Sequence, residues 1–428
     1  MIEPGLGYII PVLQEKFKNS KIIVLHVGKN FPARGIPTLH SCDESEVQKF
    51  LEKELPETDA SFLRIIEWRP SASYYREEYL KLLSAVAEFI KRGEAEKRTV
   101  AAFGKRWFRN FFKNLNVLDF TNLYRMMDIP VIVTGSGPGL EEAMPVIKKY
   151  QKTCLVIASS SSILALSENG ISPDITIATD GSPWALQHIY PFFRNNTYSR
   201  ERTSFAANLC AALPSQCSKA PFLILNDGSF WQSIVLHELA LPSVIIPQRG
   251  TVTASAIELA LVLSRGNIFL AGMDLCVKGI RTHVRPYGFD YLFFESANRF
   301  APVYSKSFIR SNLIHGGGSM DIYAAWFKNQ IAVWPKRIFS LGGSHEIFEN
   351  AFPFEQKAIK KNEYFKEVRV KKENIQPAGR GVSALLSAIK NPEYAQNLKT
   401  ELAALLFPAK KEVTERELET AIIEAANG

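Results

Sequence analysis

The sequence predicts an α/β protein with a Rossmann-like, mainly parallel sheet at its centre, and three observations support this class. Short apolar runs alternate with helical segments between residues 129 and 349, a pattern typical of parallel sheets covered on both faces. The chain has 428 residues, of which 46% are hydrophobic, enough for a large core in two or three domains. The run VIVTGSGPGL at 131–140 ends a β-branched strand in a glycine-rich turn, and a helical segment follows.

The composition restricts the class of protein. A net charge of +8 permits an acidic or phosphorylated ligand but does not require nucleic acid. The five cysteines form no Cys-x-x-Cys pair and no cluster with histidine at zinc spacing, so we expect small core residues in a reducing compartment. No apolar run of about 18 residues and no leader pattern occur, so we expect a cytoplasmic protein without membrane insertion.

Residues 1–128 are predicted to form a small N-terminal α/β domain, which ends in a long basic helical segment at 77–116. Basic and aromatic residues together are typical of a nucleic-acid or membrane surface. The alternative is an amphipathic helix with buried aromatic rings and solvated charges. Glu88, Glu94 and Glu96 interrupt the basic run, which favours the amphipathic helix and no nucleic-acid partner. The aromatic residues in question are Trp107, Phe108, Phe111 and Phe112.

Residues 129–349 form the predicted sheet domain, the core of the protein, and polar residues follow several of its strands. Because carboxyl ends of parallel strands meet at one edge, we expect Asp180, Asp227 and Asp274 to face one crevice with the glycine-rich turn. The predicted strands are 131–134, 153–158, 175–179, 222–225, 244–246 and 267–271.

Residues 350–428 are polar, rich in Lys and Glu, and predicted to be helical. Thr414 and Glu417 have the spacing of a capping box, and Leu418 begins an apolar face. We therefore predict a last helix that docks on its own domain or on a partner.

The glycine-rich turn is the strongest candidate for a ligand site, since strand–helix turns attract anions, most often phosphates. Its G-x-G-x-G spacing and the serine run 159–162, where an acid would hold a ribose, argue against a dinucleotide. No Gly-Lys-Ser/Thr follows, which excludes a P-loop. The alternative is a turn without a ligand. The candidate residues are Gly135, Ser136, Gly137, Gly139, Ser160 and Ser161.

Two further segments add reactive groups. A helix opens on Gly250, Thr251 and Thr253, and could receive a phosphate or carboxylate. Downstream, Thr282 and His283 follow Asp274 in a polar loop, and histidine takes protons near neutral pH. His315, in a glycine-rich loop preceded by basic and hydroxyl residues, is the rival base, and the sequence leaves this choice open.

Four ordered segments, GSGPGLEEAMPVIKK, SSSILALSENGISPDITIATDGS, RGTVTASAIELAL and FLAGMDLCVKGIRTHV, resemble the motility accessory factor (Maf) flagellin glycosyltransferases. The resemblance covers about residues 129–284, and FGKRWFRNFFKNL at 103–115 resembles the segment that precedes this core. It departs at Thr251 to Thr253, where the family often has smaller residues, and the rest of the N-terminal zone, residues 1–128, matches loosely. The core is also similar to that of 6-hydroxymethylpterin diphosphokinase-like (MptE-like) proteins.

The resemblance implies a sialyltransferase-like core that moves a nonulosonic sugar, such as pseudaminic or legionaminic acid, from a CMP-activated donor to Ser or Thr hydroxyls of flagellin. It implies that the glycine-rich turn holds the nucleotide and that Ser160 and Ser161 contact the ribose. Asp180 and Asp274 would orient the ligands, and His283 would be the general base. No Asp-x-Asp motif is present, so the sequence leaves a requirement for a divalent metal undecided and predicts no other cofactor.

Two alternatives stay open at this point. A pterin pyrophosphokinase would use ATP and magnesium, with Asp180 and Asp227 on the metal. A non-catalytic module would bind flagellin without modifying it. The sequence does not decide the sugar, the acceptor sites or the oligomeric state.

Overall fold

The computed structural model describes residues 1–18, 20–27, 35–55, 63–194, 203–247, 249–315, 319–331, 333–342, 348–353, 358–369, 377–410 and 412–427. The chain divides into two compact units, Met1–Ala102 and Phe103–Gly428, here called the N-terminal unit and the core unit. The functional division predicted at residues 128 and 349 stays a prediction. Within the described ranges, no helix is both long and apolar enough to cross a membrane.

The N-terminal unit is a small α/β fold whose extended segments run parallel. Ile2 bridges Leu25 on one side and Glu67 on the other, and Leu25 belongs to a strand that pairs with a second strand. The elements are α1 (Ile10–Lys16), β1 (Val24–Leu25), β2 (Thr38–Leu39), α2 (Glu44–Glu54), α3 (Arg69–Tyr74) and the first part of α4 (Arg76–Val117).

The core unit contains a parallel sheet of eight described strands, in the order β11-β10-β4-β5-β6-β7-β8-β9. The six predicted strands are confirmed to within two residues at each end, whereas β7 and β11 were not predicted. The strands of the unit are β3 (Phe120–Tyr124), β4 (Val131–Thr134), β5 (Leu155–Ser159), β6 (Ile175–Ala178), β7 (Ser204–Asn208), β8 (Phe222–Asn226), β9 (Ser243–Ile245), β10 (Ile268–Ala271), β11 (Ile338–Ser340) and β12 (Phe365–Arg369).

Helices cover both faces of this sheet, which explains why its strands are continuously apolar. Val131 and Val133 pack into the cluster that contains Ile257 of α9, whereas Ile132 packs on the opposite face with Ile147 of α5. The helices between β4 and β11 are α5 (Leu140–Tyr150), α6 (Ile163–Glu168), α7 (Leu186–Arg194), α8 (Phe230–Glu238), α9 (Val252–Leu263), α10 (Asp290–Glu295), α11 (Val303–His315) and α12 (Ser319–Ile331).

The sheet reverses its direction of growth beside β4. Strands β4 to β9 are added one after another toward one edge, and the chain then returns to place β10 against the other side of β4. In open α/β sheets, ligands bind outside the carboxyl ends of the strands at such a switch point. The loops that follow β4 and β10 therefore define where a site is expected.

The second part of α4 belongs to the core unit and confirms the amphipathic prediction. Phe108, Phe111 and Phe112 are fully buried, and the rings of Phe108 and Phe111 lie 5.0 and 4.7 Å from that of Trp231. The basic residues Lys105, Arg106 and Arg109 are exposed.

The C-terminal region is helical, as predicted, but it also contributes β12, which pairs antiparallel with β3 and was not predicted. The helices α13 (Pro377–Lys390), α14 (Ala395–Leu406) and α15 (Glu415–Asn427) pack on one another. The capping box is confirmed, because Glu417 N–H donates to the Thr414 hydroxyl at 3.3 Å and Thr414 N–H donates to the Glu417 carboxylate at 3.0 Å. The last helix thus docks on its own unit.

Candidate functional site

The glycine-rich turn after β4 is joined to the loop after β10 by its own amide groups. Gly135 N–H donates to the Ala271 carbonyl and Gly137 N–H to the Gly272 carbonyl, both at 2.8 Å. Gly139 N–H donates to the Asp274 carboxylate, at 2.9 Å from Oδ1 and 3.1 Å from Oδ2. These three amides therefore bond inside the protein, contrary to the expectation that they would cradle a phosphate.

The close approach of the two loops explains the G-x-G-x-G spacing. A Cβ on Gly137 would lie 2.0 Å from Asp274 Oδ2, and one on Gly135 would lie 2.5 Å from the Gly272 carbonyl oxygen. Gly272 itself has φ +64° and lies against Leu140, a backbone conformation that glycine adopts without strain. The glycines are needed because the loop after β10 occupies the space that side chains would fill.

Asp274 is the residue on which this junction depends. It is buried, with 4% of its surface exposed, and burial raises the pKa of its carboxyl from 3.8 to about 6, against the opposing effect of the Gly139 hydrogen bond. Since both carboxylate oxygens contact Gly139, Asp274 positions the turn more directly than it contacts a ligand.

A cleft of about 230 Å³ lies at the switch point between β4 and β10. Hydroxyl-bearing residues from five segments of the chain line it, and the Ser161 hydroxyl donates to that of Ser136 at 2.9 Å. Hydroxyls of this kind both donate and accept, as recognition of sugar hydroxyls requires. The lining residues are Ser136, Gly137, Ser161, Gly250, Thr251, Val252, Thr253, Met273, Leu275, Cys276, Thr282, His283, Tyr323 and Phe327.

His283 forms part of the cleft wall and is half-buried. Its Nδ1 lies 2.9 Å from the Thr282 hydroxyl, and its ring stacks on Tyr287 with centroids 4.1 Å apart and planes 19° apart. The next residue, Val284, donates its N–H to the Ser136 carbonyl at 2.8 Å. The imidazole is thus oriented from both sides, as a general base requires.

Ion pairs hold the loop that carries His283 against the first turn of α5. Lys278 Nζ lies 2.6 Å from the Glu142 carboxylate, and Arg281 lies 2.8 Å from that of Glu141. These pairs are largely exposed, so we expect them to contribute little to stability. They fix the outer edge of the loop.

The N-terminus of α9 closes the opposite side of the cleft. Thr251 caps this helix by accepting the Ala254 N–H at 3.1 Å, so one lone pair of its hydroxyl is already engaged. Gly250, at φ +73°, lies where a Cβ would be 3.2 Å from the ring of Tyr323. Tyr323 and Phe327 of α12 were not predicted, because nothing in the sequence indicates that α12 reaches this edge.

The structure does not bring all predicted residues into the cleft. Asp180 is exposed and accepts the Ser182 N–H of its own turn at 2.7 Å, while Asp227 accepts Ser229 N–H and the Gln232 side chain. Asp227 follows β8, four strands from β4, or about 19 Å at the usual strand spacing. The strand-end aspartates Asp180, Asp227 and Asp274 therefore do not face one crevice, contrary to the expectation.

Two other predicted residues also lie outside the cleft lining. Ser160 is buried and bonds through its N–H to the Ile177 carbonyl. His315 ends α11, but its side chain falls outside the described part, so the choice between His283 and His315 stays open. Within that part, no three His, Cys, Asp or Glu residues form a group that could hold a metal ion.

Comparisons with known proteins agree with this fold. The model of the family described as "6-hydroxymethylpterin diphosphokinase MptE-like" matches residues 105–279. An uncharacterised protein of Treponema pallidum (strain Nichols) is 29% identical over 286 residues, which are 66% of this chain and 60% of that protein. The chain thus spans about three fifths of the length of this relative.

A solved structure, that of a Maf glycosyltransferase from Magnetospirillum magneticum AMB-1, is similar over the whole chain and over 72% of its own length. The TM-score is 0.56 at 13% sequence identity, so the likeness concerns the fold. Together with the family match, it confirms the resemblance read from the sequence: residues 105–279 match the MptE-like family model, and the fold is similar to that of a Maf glycosyltransferase.

Proposed function

We propose that this chain is a glycosyltransferase that moves a nonulosonic sugar from a CMP-activated donor to Ser or Thr hydroxyls of flagellin. The observation that carries the proposal is the oriented His283 beside a hydroxyl-lined cleft at the switch point of the sheet. The similar Maf glycosyltransferase structure supports the same class of reaction. Five free cysteines, three of them buried, fit a reducing cytoplasm.

The cleft residues have distinct roles in this reaction. The hydroxyls of Ser136 and Ser161 bond to the ribose, consistent with the lack of an acid there. His283, held through Nδ1 at Thr282, accepts the proton of the acceptor hydroxyl. The acceptor oxygen bonds to the anomeric carbon as the bond to the CMP phosphate breaks, and CMP leaves. The transition state resembles an oxocarbenium ion, which a correctly oriented polar cleft stabilises.

The test is transfer of sugar to purified flagellin, followed by intact mass. We expect His283→Ala to lower the rate at least 100-fold, because general-base catalysis contributes about 10²–10⁴-fold. His237→Ala, an exposed histidine on α8, is the matched control and should transfer at the wild-type rate. Unchanged transfer by His283→Ala would contradict the assignment, and unchanged flagellin mass with the wild-type chain would favour a non-catalytic flagellin-binding module.

A second candidate function is pyrophosphoryl transfer from ATP to a hydroxymethylpterin, and the family description over residues 105–279 favours it. In that case magnesium would be required, and Asp180 and Asp227 would act on the metal. Incubation with ATP, Mg²⁺ and the pterin should then release AMP, and Asp227→Asn should abolish the release. The glycosyltransferase proposal predicts a smaller effect of Asp227→Asn on sugar transfer.

A further inference from the structure

The N-terminal unit contains a second glycine-rich turn between an extended segment and a helix. After Ile2 the chain turns through Glu3, Gly5 and Gly7, which have φ values of +50°, +61° and +77°. Helix α1 follows, and β1 then returns parallel to the first segment, with Ile2 beside Leu25. A strand, a glycine-rich turn, a helix and an adjacent parallel strand are the elements of nucleotide-binding folds.

Polar and aromatic residues follow the extended segments of this unit at the same edge. Glu3 follows Ile2, His26 follows β1, His40 follows β2 and Trp68 follows the bridge at Glu67. Since all four segments are parallel, these residues lie together at the carboxyl ends of neighbouring strands. That edge is where parallel sheets bind ligands.

Glu3 is the centre of this cluster. Its side chain is fully buried, and its carboxylate accepts Val27 N–H at 2.8 Å, His26 Nδ1–H at 2.8 Å and the Ser71 hydroxyl at 3.3 Å. A buried carboxylate is costly unless donors surround it. Its positive φ adds backbone strain for a residue other than glycine, and such strain clusters at functional sites. Glu3 thus holds the imidazole of His26 in one orientation.

His26 occupies the position that contacts ribose in dinucleotide-binding units. There, an acidic residue about 20 residues after the glycines, at the end of the second strand, bonds to the ribose hydroxyls. His26 comes 21 residues after Gly5 at the end of β1, with the Glu3 carboxylate directly behind it. Helix α1 has only seven residues, so its dipole would attract a phosphate weakly. The strand–turn–helix arrangement therefore favours a nucleoside without a phosphate at this turn.

Aromatic rings suited to a base surround the same edge. The ring of His26 lies 6.0 Å from that of His40 and 6.4 Å from that of Tyr75. Trp68 is 44% exposed, and its Cδ1 lies 3.2 Å from where a Cβ on Gly5 would be. Glycine at this position therefore lets the indole lie on the turn, with its exposed part available for stacking.

We propose that the N-terminal unit is a second binding site, separate from the core cleft, for a nucleoside or a nucleoside-bearing cofactor. His26, held by Glu3, bonds to the ribose hydroxyls, and Trp68 stacks on the base. The proposal does not depend on the reaction assigned to the core cleft.

The test is calorimetric titration of the full chain with adenosine, guanosine and S-adenosylhomocysteine, none of which carries the cytosine expected in the core cleft. We expect at least one to bind, and Trp68→Ala to weaken it about tenfold or more, because stacking on one aromatic ring contributes about 1–3 kcal/mol. His26→Gln should weaken the same ligand. Lys81→Ala, an exposed change on α4, and Ser161→Ala, in the core cleft, are the controls and should bind with wild-type affinity.

Trp68→Ala changes an exposed side chain, so it keeps the test valid if His26→Gln fails to fold, as circular dichroism would show. Failure of all three compounds to bind would overturn the proposal. Binding that Ser161→Ala weakens and Trp68→Ala leaves unchanged would also overturn it, because the ligand would then lie in the core cleft.

Discussion

Replacing Gly137 with Ala should break the junction that shapes the core cleft. The new Cβ would lie 2.0 Å from Asp274 Oδ2 and 2.8 Å from the Gly272 carbonyl oxygen. Asp274 would have to leave Gly139, and a hydrogen bond to a charged group is worth about 1.5–3 kcal/mol. Displacing the loop after β10 adds an overpacking cost of about 1–3 kcal/mol. We therefore expect the free energy of unfolding to fall by about 3–5 kcal/mol.

The assay is urea denaturation of the full chain followed by tryptophan fluorescence. Gly379→Ala is the control, because a Cβ at this helical position meets nothing within 4 Å and should stabilise the chain by about 0.5–1 kcal/mol. In an Asp274→Ser background, the shorter side chain relieves the clash, so Gly137→Ala should cost at least about 1.5 kcal/mol less. The reasoning is refuted if Gly137→Ala lies within about 0.5 kcal/mol of wild type, or if its cost is the same in both backgrounds.

Three further predictions concern the cleft, the loop after β10, and the contact of α4 with the loop after β7. His283→Gln should lower the rate of sugar transfer at least 100-fold and change nucleotide affinity less than about threefold, as kinetics and calorimetry would show; a loss of affinity alone would contradict the base assignment. Because burial raises the pKa of Asp274 from 3.8 to about 6, its stabilising contribution is complete below about pH 4 and is lost as the pH rises through 6. The full pKa shift corresponds to about 3 kcal/mol of unfolding free energy. Allowing for solvent in the cleft, we expect the unfolding free energy of Asp274→Asn, relative to wild type, to rise by about 1–2 kcal/mol between pH 4 and 7.5 in denaturation curves. A difference in unfolding free energy that stays constant with pH would be inconsistent with a buried, titrating carboxyl. Asn114→Ala should reduce the free energy of unfolding by about 1–3 kcal/mol, because its Nδ2 donates to the Leu209 and Ala211 carbonyls at 2.7 and 2.8 Å, whereas the exposed Lys113→Ala should have little effect in the same denaturation assay.

The strands of the core could be predicted because their composition reflects burial on both faces. Val131, Ile132 and Val133 alternate between two apolar layers, so a continuous β-branched run identified β4. Two strands were missed for physical reasons. The segment of β7 contains the small residues Ala206 and Ala207, and β11 has only one β-branched residue, Ile338, so neither gives a strong β-branched signal.

The cleft residues could be predicted only where their strands lie next to the switch point of the sheet. Ser136, Ser161 and His283 follow or lie near the ends of β4, β5 and β10, which are neighbours in the sheet, and the structure brings them together. Asp180 and Asp227 have the same strand-end signature, but β6 and β8 lie farther along the sheet. Strand order depends on long-range pairing that a local pattern does not contain.

The acceptors of the glycine N–H groups also could not be predicted from the local sequence. A strand–glycine–helix pattern predicts exposed N–H groups, but here the Ala271 and Gly272 carbonyls, more than 130 residues later in the chain, accept them. The G-x-G-x-G spacing departs from the dinucleotide pattern because Asp274 and its loop occupy the space beside the glycines. Hydroxyl side chains rather than backbone amides therefore dominate the predicted contacts to the donor.

The central claim, that the cleft between β4 and β10 binds a cytidine nucleotide, is tested most directly by calorimetric titration with CMP, CTP, ATP and NAD. We predict that CMP or CTP binds best, and that Ser161→Ala weakens this binding by up to about tenfold through loss of one hydrogen bond. Tighter binding of ATP or NAD, or cytidine-nucleotide binding that Ser161→Ala leaves unchanged, would contradict the account.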